Sequence, residues 1–427
     1  MNEMEVCLDV ETGAPFALNT AGTAAHTAVF AQTGAGKSFL LGRYLEEILL
    51  KTRARVVILD PNADFLRFGQ PSNQNDSQFA DAWERIPLTL LSNRSGDLGG
   101  SAHQAVHRVA LDWSRLSPTE QCRYLGFVTP LDYQEYITVA IINRVAGMQR
   151  ETYSLNDFLT TLRALRDHRR RPDNVDSNPL AGMPDDIDWD LLPENSLLKV
   201  FTEAFKLAEL QVWPDSQDSR SVDDVVHEFT SPNSDQRLLI LDLPSLDYEH
   251  AQAMLADRAV ELLWANARAN WLDAVMRPPQ EDPRVPIFIV IDEAHNLVPP
   301  DTTGAIEASV KARVTRIAAE GRKYGLFLIL LTQRPSRISY DILSQVENLF
   351  LLKLTNRIDL EFIQRSFGSL EPDMVSKAAE LGLGQFLLSG RVTSRPALLK
   401  GLPRRTEEGG RSIRADVWIR SETLSTP

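Results

Sequence analysis

The 427-residue sequence predicts an α/β protein built on a mainly parallel sheet. Three observations lead there. The apolar runs are short and near-continuous, as strands are when helices cover both faces of a sheet. Most of these runs are followed by stretches of helical periodicity. One of them, Thr27 to Phe30, passes through a turn of small residues into an amphipathic helical stretch that reaches Leu50.

Taken in chain order, strands are expected at His26–Phe30, Val56–Leu59, Leu238–Leu241, Ile287–Ile291, Leu326–Leu331, Leu349–Leu354 and Gln385–Leu388. Each is a compact apolar run of strand length. The pattern changes between residues 69 and 235. Weak strands are expected there at Leu88–Leu91 and Arg108–Trp113, among helical segments around Pro118–Met148, Ser154–Arg169 and Ser196–Val212 that are broken by Pro, Asp and Asn clusters. This stretch therefore reads as a mostly helical insertion spliced between the second and third core strands. The core is then residues 1–68 and 236–405, and the polar residues 406–427 form a C-terminal arm.

Composition narrows the class. Hydrophobic residues at 43% and charged residues at 24% are ordinary for a folded, soluble protein. The acidic N-terminus, MNEMEVCLDVETG, is no secretory signal. The most apolar runs fall far short of the ~20 residues that span a bilayer, so no membrane association is expected. Two cysteines, Cys7 and Cys122, suffice for neither a metal cluster nor a disulfide framework and fit a cytoplasmic location. The net charge of −13 argues against a protein that coats nucleic acid with its whole surface, but leaves room for a local basic channel.

The chemistry begins in the turn after the first core strand. Residues Ala31, Gln32, Thr33, Gly34, Ala35, Gly36, Lys37 and Ser38 match the pattern Gly-x-x-x-x-Gly-Lys-Ser/Thr everywhere except at the first glycine. Such a turn between strand and helix wraps backbone N–H groups around phosphates; its lysine reaches the β/γ-phosphates and its hydroxyl reaches Mg²⁺. Thr33, Gly34, Ala35, Gly36, Lys37, Ser38 and Phe39 are thus the candidate ATP contacts, and Ser38 a candidate metal ligand. Ala31 is expected to take up a backbone geometry that glycine adopts more cheaply. Lys37 is expected to face solvent when no nucleotide is bound.

Two further stretches complete the set. The run Val285 to Ile291 delivers Asp292 and Glu293 to the carboxyl end of a strand, where open α/β sheets bind ligands. One carboxylate can hold Mg²⁺ through water and the next can orient the water that attacks the γ-phosphate. A capping role for Asp292 is the plainer alternative for such a junction. The strand Leu326–Leu331 ends in Thr332-Gln333-Arg334-Pro335, which puts Gln333 at the same edge as a sensor of the γ-phosphate. Arg322 lies before that strand, away from the chain's own phosphate site. It can serve a neighbouring copy's ATP or simply complement a helix dipole, with Arg316 as the competing candidate.

The turn together with "LDPNADF", "IDEAHNLVP", "EGRKYG", "LTQRPS" and "DILSQVENLFLLKLTN" resembles the HerA branch of the FtsK/HerA superfamily of hexameric translocase ATPases, over about Gly13–Arg67 and Gln236–Arg405. The resemblance implies a RecA-like P-loop NTPase core that uses ATP and Mg²⁺ in a homo-hexamer. It implies Lys37 and Ser38 for phosphate and Mg²⁺, Asp292 for Mg²⁺ through water, Glu293 as catalytic carboxylate, Gln333 as sensor and Arg322 as an arginine finger acting in trans. Members of that family usually carry an N-terminal β-barrel, whereas only residues 1–25 precede the first core strand here.

Two functions follow from one site. The first is a DNA translocase or helicase motor acting on double-stranded DNA, with a nuclease or other effector as partner. The second is a regulatory or scaffold ATPase that assembles and switches an effector, a nuclease or an NAD-consuming enzyme, in an anti-phage complex. A small-molecule kinase is disfavoured because nothing downstream reads as an acceptor pocket. Among lesser features, the basic run Arg163–Pro172 reads as a solvated helix end or a phosphate contact. His295 reads as a hydrogen-bonding residue rather than a metal ligand, and Trp213, Trp264 and Trp271 as core or subunit interface.

Overall fold

A computed structural model describes residues 3–73, 76–95, 103–128, 131–149, 152–170, 192–214, 219–368, 370 and 372–409. Among these, thirteen strands join one sheet. In chain order they are β1 (Glu3–Asp9), β2 (Pro15–Asn19), β3 (Thr27–Phe30), β4 (Arg55–Asp60), β5 (Leu88–Leu91), β6 (Gln104–Ala110), β7 (Ser219–Ser221), β8 (Leu238–Asp242), β9 (Ile287–Ile291), β10 (Leu326–Thr332), β11 (Asn348–Leu352), β12 (Gln385–Ser389) and β13 (Ala397–Gly401). Their spatial order is β2-β1-β13-β12-β11-β3-β10-β9-β4-β8-β5-β6-β7. Every pair from β11 through β7 is parallel, and the remaining end, β12, β13, β1 and β2, is antiparallel.

Alternate residues of the central strands enter two different cores. Along β10, Leu328 and Leu330 pack on one face while Ile329 and Leu331 pack on the other. Helices Glu249–Val275 and Ala305–Tyr324 supply side chains to the first core, and helix Lys37–Lys51 to the second. With both faces covered, neither side of a strand is left for polar residues, and the strands read as unbroken apolar runs. Helix Ala305–Tyr324 stops at Gly325, whose φ of +81° is a left-handed cap that glycine adopts without strain.

All seven expected core strands are present, with ends shifted by a residue or two. Both weak strands are there too, the second at Gln104–Ala110. The segment 69–235 is helical over Ser77–Trp83, Pro118–Tyr124, Tyr133–Gln149, Leu155–Arg170, Glu194–Ala208 and Val222–Thr230, and it also supplies β5, β6 and β7, which continue the parallel sheet beyond β8. Strand β6 carries a weak apolar signal because its middle alternates between half-buried and exposed positions. Residues 3–19 form the hairpin β1–β2, which pairs through β1 with β13. No helix among the described residues is long and apolar enough to cross a membrane. Cys7 and Cys122 are free and buried, and burial pushes both thiols up to about 12.

The strand order positions the site. Strand β3 lies between β11 and β10, and β9 lies on the far side of β10. Adjacent strands run about 4.8 Å apart, so the carboxyl ends of β3, β10 and β9 fall within roughly 10 Å. Those ends carry the glycine-rich turn, Gln333 and the Asp292-Glu293 pair. The start of the C-terminal arm returns to this edge. Glu407 N donates to Gln70 O and Gly409 N to Asp64 O. The rest of the arm, 410–427, lies outside the described residues.

Candidate nucleotide site

The turn after β3 has the backbone of a phosphate cradle. Gly34 and Gly36 sit at φ +75° and +94°, conformations that a Cβ would strain, and Gly36 caps the 15-residue helix Lys37–Lys51. Ala31 is different from expectation. It is not among the residues with positive φ; it is fully buried in the core, and its N–H donates to Thr332 O at 3.2 Å. No left-handed geometry is needed there, so alanine replaces the motif's first glycine without strain. Ala35 likewise turns into the core, while its carbonyl accepts from Gly384 N.

Lys37 also departs from expectation. It is only 8% exposed. Its Nζ donates to Asp292 Oδ1 at 2.8 Å and to Glu293 Oε1 at 2.5 Å, so the lysine is held inward by the two carboxylates that the sequence assigns to the same chemistry. Burial alone would lower its pKa, but Asp292 and Glu293 outweigh it and hold the ammonium above its ordinary value. Burial raises Asp292, an effect that Lys37 offsets only in part. Asp292 Oδ2 is buried with no hydrogen-bond partner.

Glu293 is held in place from several sides. Burial works to raise its pKa, but hydrogen bonds from His295, Lys37 and Gln333 and the Lys37 charge prevail and hold it at about 2. Gln333 Nε2 donates to Glu293 Oε1 at 2.7 Å, and Gln333 Oε1 accepts from Thr33 Oγ1. His295 Nδ1 lies 3.3 Å from Glu293 Oε2 and 3.0 Å from Thr332 Oγ1, a positioning contact rather than a metal-ligand cluster. The Glu293 backbone stands at φ +42°, uncommon for a residue with a side chain, and such outliers gather at functional sites. Ser38 Oγ donates to Asp64 Oδ2 at 2.6 Å.

A cavity of about 620 Å³ opens over this constellation. Thr33, Gly34, Gly36, Lys37, Ser38, Phe39, Glu293 and Gln333 line it, whereas Asp292 sits behind Lys37. The opposite wall was not legible from the motifs: Leu383 and Gly384 before β12, Lys400 to Pro403, and Glu408 of the arm. Asp64 also lines it; the "LDPNADF" stretch marked that loop without assigning it a role. A helix N-terminus with glycine-rich entry, a buried ammonium, a serine hydroxyl and a carboxylate with a free buried oxygen is the donor set that a Mg²⁺-nucleoside triphosphate requires, and the residues present fit that group.

Arg322 is elsewhere. It lies at the opposite end of β10 from Gln333, roughly 20 Å away at ~3.3 Å per strand residue. Its side chain is 48% exposed and pairs with Glu347, which also accepts from Arg391. Arg316 stacks over the ring of Trp264 at 5.7 Å. Trp213 packs edge-on against Trp113, and Trp264 and Trp271 flank Tyr324. In the basic run, Arg163 and Arg166 cover Phe201, whereas the side chains of 168–170 and residues 171 and 172 lie outside the described residues.

Comparison with known proteins resolves the family. The profile of the family "Helicase HerA, central domain" matches residues 10–259, more than half of the chain. The chain belongs to that HerA family. It is 25% identical over 397 residues to the DNA double-strand break repair helicase HerA of Pyrococcus furiosus, covering 88% of this chain and 64% of the relative. Identity to a probable DNA double-strand break repair helicase HerA of Methanocaldococcus jannaschii is 34% over 115 residues, covering 27% and 22%. This HerA-family chain therefore spans less than two thirds of the length of these curated relatives. Among solved structures, VirB4 of Thermoanaerobacter pseudethanolicus is similar with a TM-score of 0.57 at 13% identity, covering 93% of this chain and 96% of that one. The plasmid coupling protein TrwB in complex with ADP and Mg²⁺ is similar with a TM-score of 0.54 at 16% identity, covering 95% and 90%. These likenesses bear out the RecA-like P-loop ATPase fold of the HerA-family core.

Proposed function

We propose that this HerA-family chain is a Mg²⁺-dependent ATP hydrolase that works as a motor on double-stranded DNA in a ring of identical copies. The observation that carries the reading is the meeting of Lys37, Asp292, Glu293 and Gln333 at the carboxyl ends of three neighbouring strands, under one cavity. The names of the relatives support the DNA part.

The glycine-rich turn and the start of helix Lys37–Lys51 present backbone N–H groups to the phosphates. Lys37 exchanges its two carboxylates for phosphate oxygens, which frees Glu293. Ser38 and Asp292 would hold Mg²⁺, whose charge would offset the charge that develops on the phosphates. Glu293 is ionised throughout the neutral range and orients the attacking water, with Gln333 and His295 fixing its carboxylate. Gln333, tied to Thr33 on one side and Glu293 on the other, carries the state of the γ-phosphate to the turn.

Arg322 is exposed and far from its own cavity, which favours a role as an arginine finger on the next copy's ATP. A second cavity of about 510 Å³ shares Gln32, Thr33 and Gln333 with the first and offers the route by which such a group reaches the γ-phosphate. A hexamer, a cytoplasmic location and an effector partner, a nuclease or an NAD-consuming enzyme of an anti-phage complex, complete the proposal on the strength of the family resemblance.

Glu293→Gln tests the hydrolytic core. The variant should bind ATP like wild type and hydrolyse it about 10²–10⁴-fold more slowly, the usual range for loss of a catalytic base. Turnover at the wild-type rate refutes the role of Glu293. Stimulation of wild-type turnover by duplex DNA, with the mass of the assembly from light scattering, tests the motor and the ring.

A further inference from the structure

The P-loop motif accounts for Ser38 but not for the carboxylate that holds it. A serine hydroxyl has one proton to donate and two lone pairs, so whichever acceptor takes the proton decides where the lone pairs point. Here the acceptor is Asp64 Oδ2, at 2.6 Å, a short bond of the charge-assisted kind. Asp292, the carboxylate on β9, has its Oδ1 engaged by Lys37 Nζ at 2.8 Å and by Glu293 N at 2.9 Å.

We propose that Asp64 is a positioning residue for the metal side of this site: by accepting the Ser38 hydrogen bond it fixes the hydroxyl and leaves the oxygen's lone pairs free for Mg²⁺. The inference rests on the Mg²⁺-ATP reading above.

The loop after β4 is constructed to present that carboxylate. Asp60 is fully buried; its Oδ1 accepts from Asn62 N and Asp64 N at 3.3 and 3.1 Å, and its Oδ2 from Phe65 N at 2.9 Å. Ala63 turns the chain at φ +62°, a left-handed conformation unfavourable for alanine that persists because its surroundings impose it. The arm braces the loop from outside. Gly409 N donates to Asp64 O at 3.0 Å, and a Cβ at Gly409 would lie 2.2 Å from Ala63 O, so only glycine allows this approach. Just before the arm, Arg404 lies over the rings of Phe65 and Phe68, 5.5 and 4.9 Å from their centroids. A loop pinned by a buried carboxylate, a glycine contact and a stacked arginine holds Asp64 in one place, as a group that orients a metal ligand must be held.

The test is the gain in ADP affinity that Mg²⁺ brings, measured by calorimetry with Mg²⁺ and with EDTA on the full chain. Asp64→Ala should lose about 10–100-fold of that gain, the range for groups that orient a metal ligand, and keep wild-type affinity in EDTA. Asp64→Asn retains an oxygen that accepts the Ser38 proton and should lose less; it also decides the matter should the alanine variant fail to fold. Adding Asp64→Ala to Ser38→Ala should cost nothing further, because Asp64 acts through Ser38. An undiminished Mg²⁺ gain in both variants overturns the proposal. So does an equal loss in EDTA, or additive losses from Ser38→Ala and Asp64→Ala. A wild-type chain whose ADP affinity ignores Mg²⁺ sinks the Mg²⁺-ATP reading itself, an outcome distinct from the others.

Discussion

Replacing Lys37 by methionine keeps the length of the side chain and deletes its charge, which makes it the most informative change at this site. Lys37 is 8% exposed and bonds two carboxylates, one of them fully buried. Glu293 is held at about 2 instead of 4.5, a shift to which hydrogen bonds from His295 and Gln333 contribute beside Lys37. Removing one partner of a buried ion pair costs about 3–5 kcal/mol. The lower end, about 3 kcal/mol at pH 7, is expected here, because Glu293 keeps Gln333 and His295 as partners. A depressed carboxylate contributes stability that is full above its unfolded pKa and is lost as pH falls through the folded one. The wild-type advantage should therefore be widest near neutrality and narrow below pH 4.5. With an unfolding entropy of ~2.1 cal/mol/K per residue, the Lys37→Met melting temperature should drop by about 3–4 °C at pH 7 and by less at pH 4, with ATP turnover abolished. A variant that melts like wild type at pH 7 would show that the lysine is not paired inward, and one that still turns over ATP would end the assignment of the loop.

Two further outcomes are expected. Arg322→Ala and Glu293→Gln should each lose hydrolysis when alone, and mixing them should restore part of it, since some interfaces then pair an intact Arg322 with an intact Glu293; no recovery after demonstrated subunit exchange transfers the finger role to Arg316. An arginine acting in trans is worth about 10³–10⁵ in rate, far beyond a helix-end contribution. His26 is buried and its Nδ1 accepts from Leu328 N at 2.9 Å, and burial, with Arg322 nearby, lowers its pKa to about 4. A depressed base costs stability as pH falls from 6.5 to 4, up to about 3 kcal/mol, and His26→Asn, which keeps the acceptor, should lose that part of the acid slope; an unchanged slope refutes the assignment.

The central sheet was legible because its strands are buried on both faces, so each shows as an unbroken apolar run whatever its neighbours are. The strands at the margins were not. In β1, buried Met4 and Val6 alternate with exposed Glu3 and Glu5, and β13 ends in exposed Lys400 and half-buried Gly401, so neither forms a continuous apolar stretch. The same contrast runs through the site. Lys37, Ser38, Asp292, Glu293 and Gln333 each follow directly from a strand whose position the pattern gives, and parallel pairing brings those strand ends together. What spacing does not convey is which side chain holds which. The inward turn of Lys37 depends on β9 lying two strands from β3, a matter of strand order and not of motif.

The cavity's outer wall shows why enclosure is harder to read than chemistry. In the helix after the turn, both glutamates of "YLEEILL", Glu46 and Glu47, are buried. Glu46 accepts from the N–H of Arg405 at 3.0 Å and from the N–H and hydroxyl of Thr406 at 2.8 and 2.7 Å, residues some 360 positions away. Arg43 pairs with both glutamates and donates to Glu5 O. An unpaired buried carboxylate is costly, so Glu46 makes sense only once Arg405 and Thr406 have folded over it. Gly42 makes the same point sterically: a Cβ there would lie 2.5 Å from the Arg404 side chain, so the small residue in that helix exists for a partner that the local sequence does not reveal. The helix that begins at the glycine-rich turn thus also anchors the segment that walls the candidate nucleotide cavity. The helix that follows the turn is joined to that wall through Glu46, which holds Arg405 and Thr406, and through Gly42, which leaves room for Arg404.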